Sequence, residues 1–577
     1  MVAAASQASS VMSDKIVTYN TNPVLYEAVL HALKVPEELS EEELAVANQL
    51  RIEFEHQGGH LDLSKREALH EIQAYSHHMM IAYRESISGM SLSGSNRVLD
   101  CDQKILQKLP PHIQKRIQRR ASRILITASD QVVLDYILRH FPDENIRKAI
   151  YLLNNSYTEF LPTLEDLLRA RHTLATLLDF PCYSEYYGWH RSLKTPKEIF
   201  SFLDELRELV LSKSNQELSS LQNLKSAVGP GVIEEWDLEY YKQKYLEKNG
   251  LAHPRSLEEY FTVPNVLHGF ADIWQDLFNV RVQPAKNFQQ EVWHPSVFKL
   301  DVFKEDDQFV GSVYCDLFER PHKSGPANFP IRIKSAGTTP TVGLVTNWPR
   351  RRPNEPPLLP FEHVHVFFHE LGHLLQALLC ENKLQHFSGT RGLMDHVETP
   401  SQLFQHFATD HRVLRKFAFH FKTGKPVPES LLRDALAFKS CFSGLETMSQ
   451  ICYSALDQAL HSTLIRSNGG STDILKEVKK KYSLIPHADG TYMQSTFSHL
   501  LGYGSTYYSY LYSGVHSSQI WKTLFEQNPL SRDAGTTYQK KLLAYGGAKD
   551  PNQILLSLTG KTADPTYFIQ DLFQGTY

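Results

Sequence analysis

Cysteine is scarce in this sequence, and what there is stands apart. Of 577 residues six are cysteine (Cys101, Cys182, Cys315, Cys380, Cys441 and Cys452), with no pair at CxxC spacing. In a chain this long they read as reduced, mostly buried thiols in a reducing compartment. An excess of one charge is also missing: 60 basic residues face 64 acidic ones, a formal net of −4. That argues against a nucleic-acid or membrane surface as the main partner. The sequence has no apolar run long enough to cross a bilayer, no fixed repeat and no low-complexity segment. Its first residues, MVAAASQASSVMSDK, lack the apolar centre of a secretory signal, and no arginine precedes Arg51. Neither a secretory nor a mitochondrial address is recognisable there.

Helical signals dominate what is present. Leu69, Ile72, Tyr75, Met79 and Tyr83 fall at spacings of three and four, one stripe of an amphipathic helix. Ser64 and Glu67 ahead of it have the spacing of a capping box. Similar stripes recur through residues 130–230. Residues 1–135 read as a helical region without chemistry of its own, and residues 136–577 as the region that carries it. Two stretches read as strands: DQFVGSVYCDLF (307–318) and TVGLVTNW (341–348), joined by the turn-rich ERPHKSGPANFP. They predict a hairpin with a long loop, an island of β in a mainly α protein. The following PRRRPNEPPLLP, with Arg350, Arg351 and Arg352, reads as an exposed loop.

Next comes FFHELGHLLQ, Phe367 to Gln376. Val364, Phe367, Phe368, Leu371, Leu374, Leu375, Leu378 and Leu379 cover most of a helix circumference, and a helix that apolar belongs inside a large protein. Pro360 suits its first turn, Glu362 complements the dipole there, and Asn382 is a plausible stop. His369 and His373, four apart, share a face and can turn both imidazoles towards one metal ion. Glu370 sits beside that face, within reach of a water on the metal. With 27 histidines in the chain, an HExxH string arises by chance in roughly one such sequence in ten. Three ionisable groups in so apolar a helix, however, are costly to bury without partners. Gly372 costs about 1 kcal/mol in a helix interior, and a small residue beside the histidines lets another backbone approach.

A catalytic zinc needs a third protein ligand and an open position. Glu398, in DHVETPSQ, is the candidate, although by itself it reads as a surface glutamate. Thr399 and Gln402 have capping-box spacing and Pro400 suits a first turn, which predicts a helix from there to about Phe421. The alternative is a helix already under way that Pro400 kinks. A last motif, FSHLLGYGSTYYSYLYSG (497–514), gathers one histidine and five tyrosines around Gly502 and Gly504. Its plainest reading is an aromatic core helix following a glycine turn.

HELGH followed by GTRGLMDHVETPSQ (389–402) resembles the thimet oligopeptidase family of zinc peptidases, and its mitochondrial branch most. DKIVTYNTN (14–22) and FKTGKPVP (421–428) extend the resemblance over nearly the whole chain. The resemblance implies one zinc ion held by His369, His373 and Glu398, with Glu370 as the general base. It implies that the segment around His499, Tyr507 and Tyr510 folds over the metal and stabilises the transition state. The spacing there is one residue shorter than in the thimet oligopeptidase branch and matches the mitochondrial branch, which leaves Tyr503 open. Gly502 and Gly504 would give the segment hinge freedom. Either predicted strand, 307–318 or 341–348, would hold substrate as an added strand.

The fold implied is a mostly helical clam, zincin-type, with a deep channel that admits unfolded peptides and excludes folded proteins. The activity implied is a zinc metalloendopeptidase, a monomer of the mitochondrial matrix, that removes an N-terminal octapeptide from imported precursors. Two other readings stand beside it: a general oligopeptidase of short peptides, and a non-catalytic peptide-binding short form. Two departures accompany the resemblance. Family members carry a targeting peptide and further helices ahead of the point where this sequence starts, so the sequence reads as truncated or as a short form, cytoplasmic in the latter case. His396 stands where related sequences have an aromatic residue, either perturbing Glu398 or replacing a packing ring.

Overall fold

The stripe at 69–83 belongs to one long helix, α1 (Leu63–Leu92). Leu69 and Tyr83 are fully buried, Ile72 and Met79 half-buried and Tyr75 exposed, so the buried face is narrower than the spacing predicts. The Asp62 carboxylate accepts from the Lys65 amide at 3.0 Å. Asp62 therefore takes the capping place, and Ser64 already lies inside the helix. The computed structural model describes residues 18–573 apart from 93–96, 252–254, 322, 324, 351–355, 463–469 and 503, together with 7, 8, 11, 12, 15 and 16.

Seven further helices build the region of interest: α2 (Leu161–Leu177), α3 (Pro196–Ser226), α4 (Val263–Phe278), α5 (Phe361–Leu379), α6 (Thr399–Phe407), α7 (Ser443–His461) and α8 (Ser509–Ile520). Local chemistry sets several of their ends. Thr195 and Glu198 form a complete capping box at the start of α3, with Pro196 in the first turn. Asn279 ends α4 at φ 56°, the left-handed conformation that asparagine tolerates.

Residues 1–135 are not purely helical. Strands β1 (Val98–Asp102), β2 (Gln118–Arg120) and β3 (Arg123–Thr127) make an antiparallel sheet in the order β1-β3-β2. Strands of three to five residues carry too little alternation to stand out. The second sheet has five strands, β4 (Val280–Pro284), β5 (Phe298–Lys304), β6 (Phe309–Phe318), β7 (Ala327–Arg332) and β8 (Thr341–Trp348), in the order β4-β5-β6-β8-β7. The predicted hairpin is absent: β6 and β8 run parallel, with Ser312 opposite Thr341 and Cys315 opposite Leu344. Parallel neighbours need a crossover rather than a tight turn. The segment read as loop supplies it and includes β7, which folds back antiparallel on the outer side of β8.

Two large cores result. One joins this sheet to α4, α5 and α6 around Phe270, Trp348, Phe367, Phe368 and Phe404. The other joins α1, α2, α3 and α7 around Tyr83, Leu203, Leu456 and Tyr508. Helix α8 runs from the second core at Val515 to the first at Ile520, and so ties the two together.

Candidate active site

Helix α5 starts at its Pro360 cap and ends at Cys380, two residues before the predicted stop at Asn382. All eight apolar residues singled out above are buried in it. The helical turn stacks His369 and His373, with ring centroids 5.1 Å apart and planes at 84°. Glu398 occupies the cap position of α6. That helix stops at Phe407 rather than near Phe421, because Asp410 caps a separate short turn, His411–Leu414. The predicted Thr399–Gln402 capping box is replaced by other bonds. Thr399 Oγ1 pairs with His396 Nδ1 at 3.0 Å, and Gln402 Nε2 donates to the Tyr510 carbonyl at 3.0 Å.

Gly372 explains how Glu398 reaches the histidines. The start of α6 passes so near that a Cβ on Gly372 would stand 2.5 Å from Ser401 Cα and nearer still to the Pro400 carbonyl oxygen. His369 Nε2 then lies 3.3 Å, and His373 Nε2 3.1 Å, from Glu398 Oε2. One donor atom of each residue lies within 4.8 Å of the others, the one such histidine, cysteine and carboxylate group of three among the described residues. Ligand atoms of a tetrahedral ion with bonds of about 2.1 Å stand about 3.4 Å apart, so the spacing and the donor types fit a zinc-like cation. Burial would push the Glu398 carboxyl up, but hydrogen bonds and charge from His369 and His373 hold it far below the usual range. Ser401 Oγ steadies it, donating to Oε2 at 2.8 Å.

Glu370 is buried beside the group. Burial raises its carboxyl, with the histidines opposing and the Glu398 charge adding. Its backbone carbonyl accepts from Asn328 Nδ2 of β7 at 3.1 Å, which lays β7 along the motif helix. Strands β6 and β8 each have a neighbour on both sides, so neither can take an added strand. The exposed edge next to α5 is β7, and Pro330 within it suits an edge position. His396 is buried with its ring 5.4 Å from that of His516, and burial brings it down to about 4. It fills a packing place and bonds to Thr399 rather than to Glu398.

His499, Tyr507 and Tyr510 come together: ring centroids are 4.9 Å apart for His499–Tyr507, 6.1 Å for His499–Tyr510 and 5.5 Å for Tyr507–Tyr510. Tyr507 is buried, its hydroxyl donates to Gln450 Oε1 at 2.9 Å, and burial raises it to about 12. Tyr510 is half-buried and lines a cleft of about 680 Å³ together with His365, Gln402 and Gln450. Tyr503 lies outside the described residues. Gly504 is a packing residue rather than a free hinge, since a Cβ there would meet His461 Nε2 at 2.8 Å. The left-handed backbone falls on Ser505, at φ 70°.

Sequence reasoning missed Gln450 and Asp395. Asp395 accepts from the Tyr508 hydroxyl at 2.7 Å and from the amides of Ser192 and Leu193, joining the approach to Glu398 with the tyrosine segment. It stands inside the quoted DHVETPSQ, where its signal was available. Gln450 sits on a helix without a motif and gave none.

The sequence pattern of Peptidase family M3 matches residues 137–572. The chain is 30% identical to a mitochondrial intermediate peptidase of Arabidopsis thaliana, over 96% of this chain and 82% of that protein. It is equally similar to a mitochondrial intermediate peptidase of Homo sapiens, over 99% and 79%. Among solved structures, an M32 carboxypeptidase from Deinococcus radiodurans R1 superposes with a TM-score of 0.56 at 12% identity, over 98% of this chain and 90% of that one. PZ peptidase A gives 0.54 at 12% identity, over 98% and 86%. These two likenesses concern the fold, a helical clam. The chain is a metallopeptidase and belongs to Peptidase family M3.

Proposed function

We propose that His369, His373 and Glu398 hold one zinc ion and that the protein is an endopeptidase acting on extended peptides. The observation that carries this reading is the approach of both imidazole Nε2 atoms to one carboxylate oxygen, at 3.3 and 3.1 Å. When bound, zinc makes a water acidic near neutral pH and polarises the scissile carbonyl. The chain's own groups then do the rest. Glu370 takes a proton from the attacking water and returns it to the leaving amine, and its raised carboxyl suits both halves of that task. Tyr510, whose backbone carbonyl is held by Gln402 one turn past Glu398, donates a hydrogen bond to the carbonyl oxygen as charge gathers there. Tyr507 can do so only by leaving Gln450, and His499 packs edge-on against both rings. The exposed β7 edge holds the peptide as an added strand.

We further propose a more specific role: trimming an N-terminal octapeptide from precursors in the mitochondrial matrix, by a monomer whose residues 136–577 carry the chemistry. What supports a mitochondrial setting is that the similar proteins are named mitochondrial intermediate peptidases. Mass spectrometry of products from a matrix precursor intermediate tests it. A single octapeptide is expected. Assorted cuts, mainly in short peptides, would instead support the general oligopeptidase.

A further inference from the structure

The tyrosine segment is gripped from behind by buried charged groups. On α7, Asp457 is 1% exposed. Its Oδ1 accepts from the Ser505 amide at 2.7 Å and its Oδ2 from the Tyr507 amide at 2.9 Å. His461, one turn on and also buried, bonds through Nδ1 to the Asp457 backbone carbonyl at 2.9 Å, which leaves Nδ1 3.0 Å from Asp457 Oδ1. Its other nitrogen, Nε2, lies 2.8 Å from Arg171 Nη1 of α2. A guanidinium only donates, so Nε2 accepts and the imidazole proton sits on Nδ1, facing Asp457. The same Arg171 donates to the carbonyls of Leu500 and Leu501 at 2.7 Å each. Gln458 Nε2 donates to the Ser505 carbonyl at 2.6 Å, and Arg191 donates there too.

These bonds fall on both sides of Ser505, the residue held in the left-handed conformation that a side chain disfavours. A conformation the chain resists persists only where its surroundings over-determine it. Here the surroundings are Arg191 and side chains of α2 and α7, and the glycine beside it, Gly504, is packed against Arg171 and His461.

We propose that Asp457 is a positioning residue: by holding the Ser505 and Tyr507 amides, it sets where Tyr507 and Tyr510 stand relative to His369, His373 and Glu398. This rests on the catalytic reading of the tyrosines given above. Asp457 touches no reacting atom. Its two oxygens hold two backbone amides two residues apart, and His461, bonded to Arg171 on one side and to the Asp457 carbonyl on the other, packs against the carboxylate.

The test is Asp457→Asn in the full chain loaded with zinc. Asparagine offers one oxygen where the segment needs two, so one amide faces an amino group. Turnover of a quenched fluorescent peptide should fall about 10–100-fold, the size of a misplacement near 1 Å, with KM and zinc content within about twofold. A purely structural role would lower activity independently of the tyrosines. The same substitution is therefore repeated in the Tyr507→Phe/Tyr510→Phe background, where a further loss under about twofold is expected and a full multiplicative loss would overturn the proposal. Hydrogen exchange supplies a readout besides activity: the Ser505 and Tyr507 amides should exchange at least about tenfold faster, and unchanged exchange also overturns it. Faster exchange with no change in turnover, together with silent tyrosine variants, would instead reject the catalytic reading of the segment. If Asp457→Asn does not fold, His461→Gln carries the same cycle, since it leaves the carboxylate in place and removes the imidazole packed between it and Arg171.

Discussion

Gly372→Ala puts the link between the two halves of the metal group under direct strain. On helix propensity alone the change should stabilise α5 by about 1 kcal/mol. The structure opposes that gain. The new methyl carbon would stand 2.5 Å from Ser401 Cα, whereas carbon atoms in ordinary contact are about 3.5–4.0 Å apart. The start of α6 must therefore retreat by about 1 Å. Overpacking of this kind costs about 1–3 kcal/mol, which leaves a net change of about 0–2 kcal/mol against the protein. The effect on metal is larger in proportion, because Glu398 rides on the same turn and ligand distances tolerate only about 0.2 Å. We expect the metal-free protein to melt within a few degrees of wild type while zinc affinity, measured against a fluorescent chelator, falls about 10–100-fold. A variant that is more stable by the full helix-propensity gain and binds zinc as wild type does would refute the close-approach argument.

Four further variants test the site and the sheet beside it. Glu398→Ala should purify with little zinc by elemental analysis, since two imidazoles alone leave the site a ligand short. Tyr510→Phe should lower kcat about 10²–10³-fold with little change in KM, and Tyr507→Phe should cost less, because Tyr507 is buried with its hydroxyl on Gln450 whereas Tyr510 faces the open cleft. Asp316 concerns stability: against the burial that would raise it, Arg320, Trp293 and Lys323 hold its carboxyl down to about 2. A depressed carboxyl contributes stability above its unfolded value near 4 that is lost as pH falls towards 2. Asp316→Asn should therefore destabilise by about 3–5 kcal/mol at neutral pH, and the gap to wild type should narrow by about 2 kcal/mol on acidification, as followed by thermal melts between pH 7 and pH 2.

The parts of the site legible in the sequence were those set by local geometry. Spacing of four on an apolar helix puts His369 and His373 on one face, and the structure has them stacked there. Glu398 is brought in by the contact of Gly372 with Pro400 and Ser401, a tertiary fact to which the glycine was only a hint. Family resemblance picked out His499, Tyr507 and Tyr510, and the rings do cluster. What fixes them, Asp457 on Ser505 48 residues away, has no local signal. The sheet was half visible. Alternation in FKLDVFK was there to be read as β5, with Phe298, Leu300 and Val302 on one face. The direction of β8 against β6 is written in neither strand, because it depends on where the connection goes. Choosing a hairpin there also hid β7, and with it the edge that lies against the motif helix.

The most direct test of the central claim is the turnover of a quenched fluorescent peptide by Glu370→Gln at a measured zinc content of one ion per chain. Full metal and a loss of kcat of about a thousandfold or more are expected, because an amide cannot take the proton of the attacking water. Turnover within about tenfold of wild type at that occupancy would contradict it, and would remove Glu370 from the mechanism.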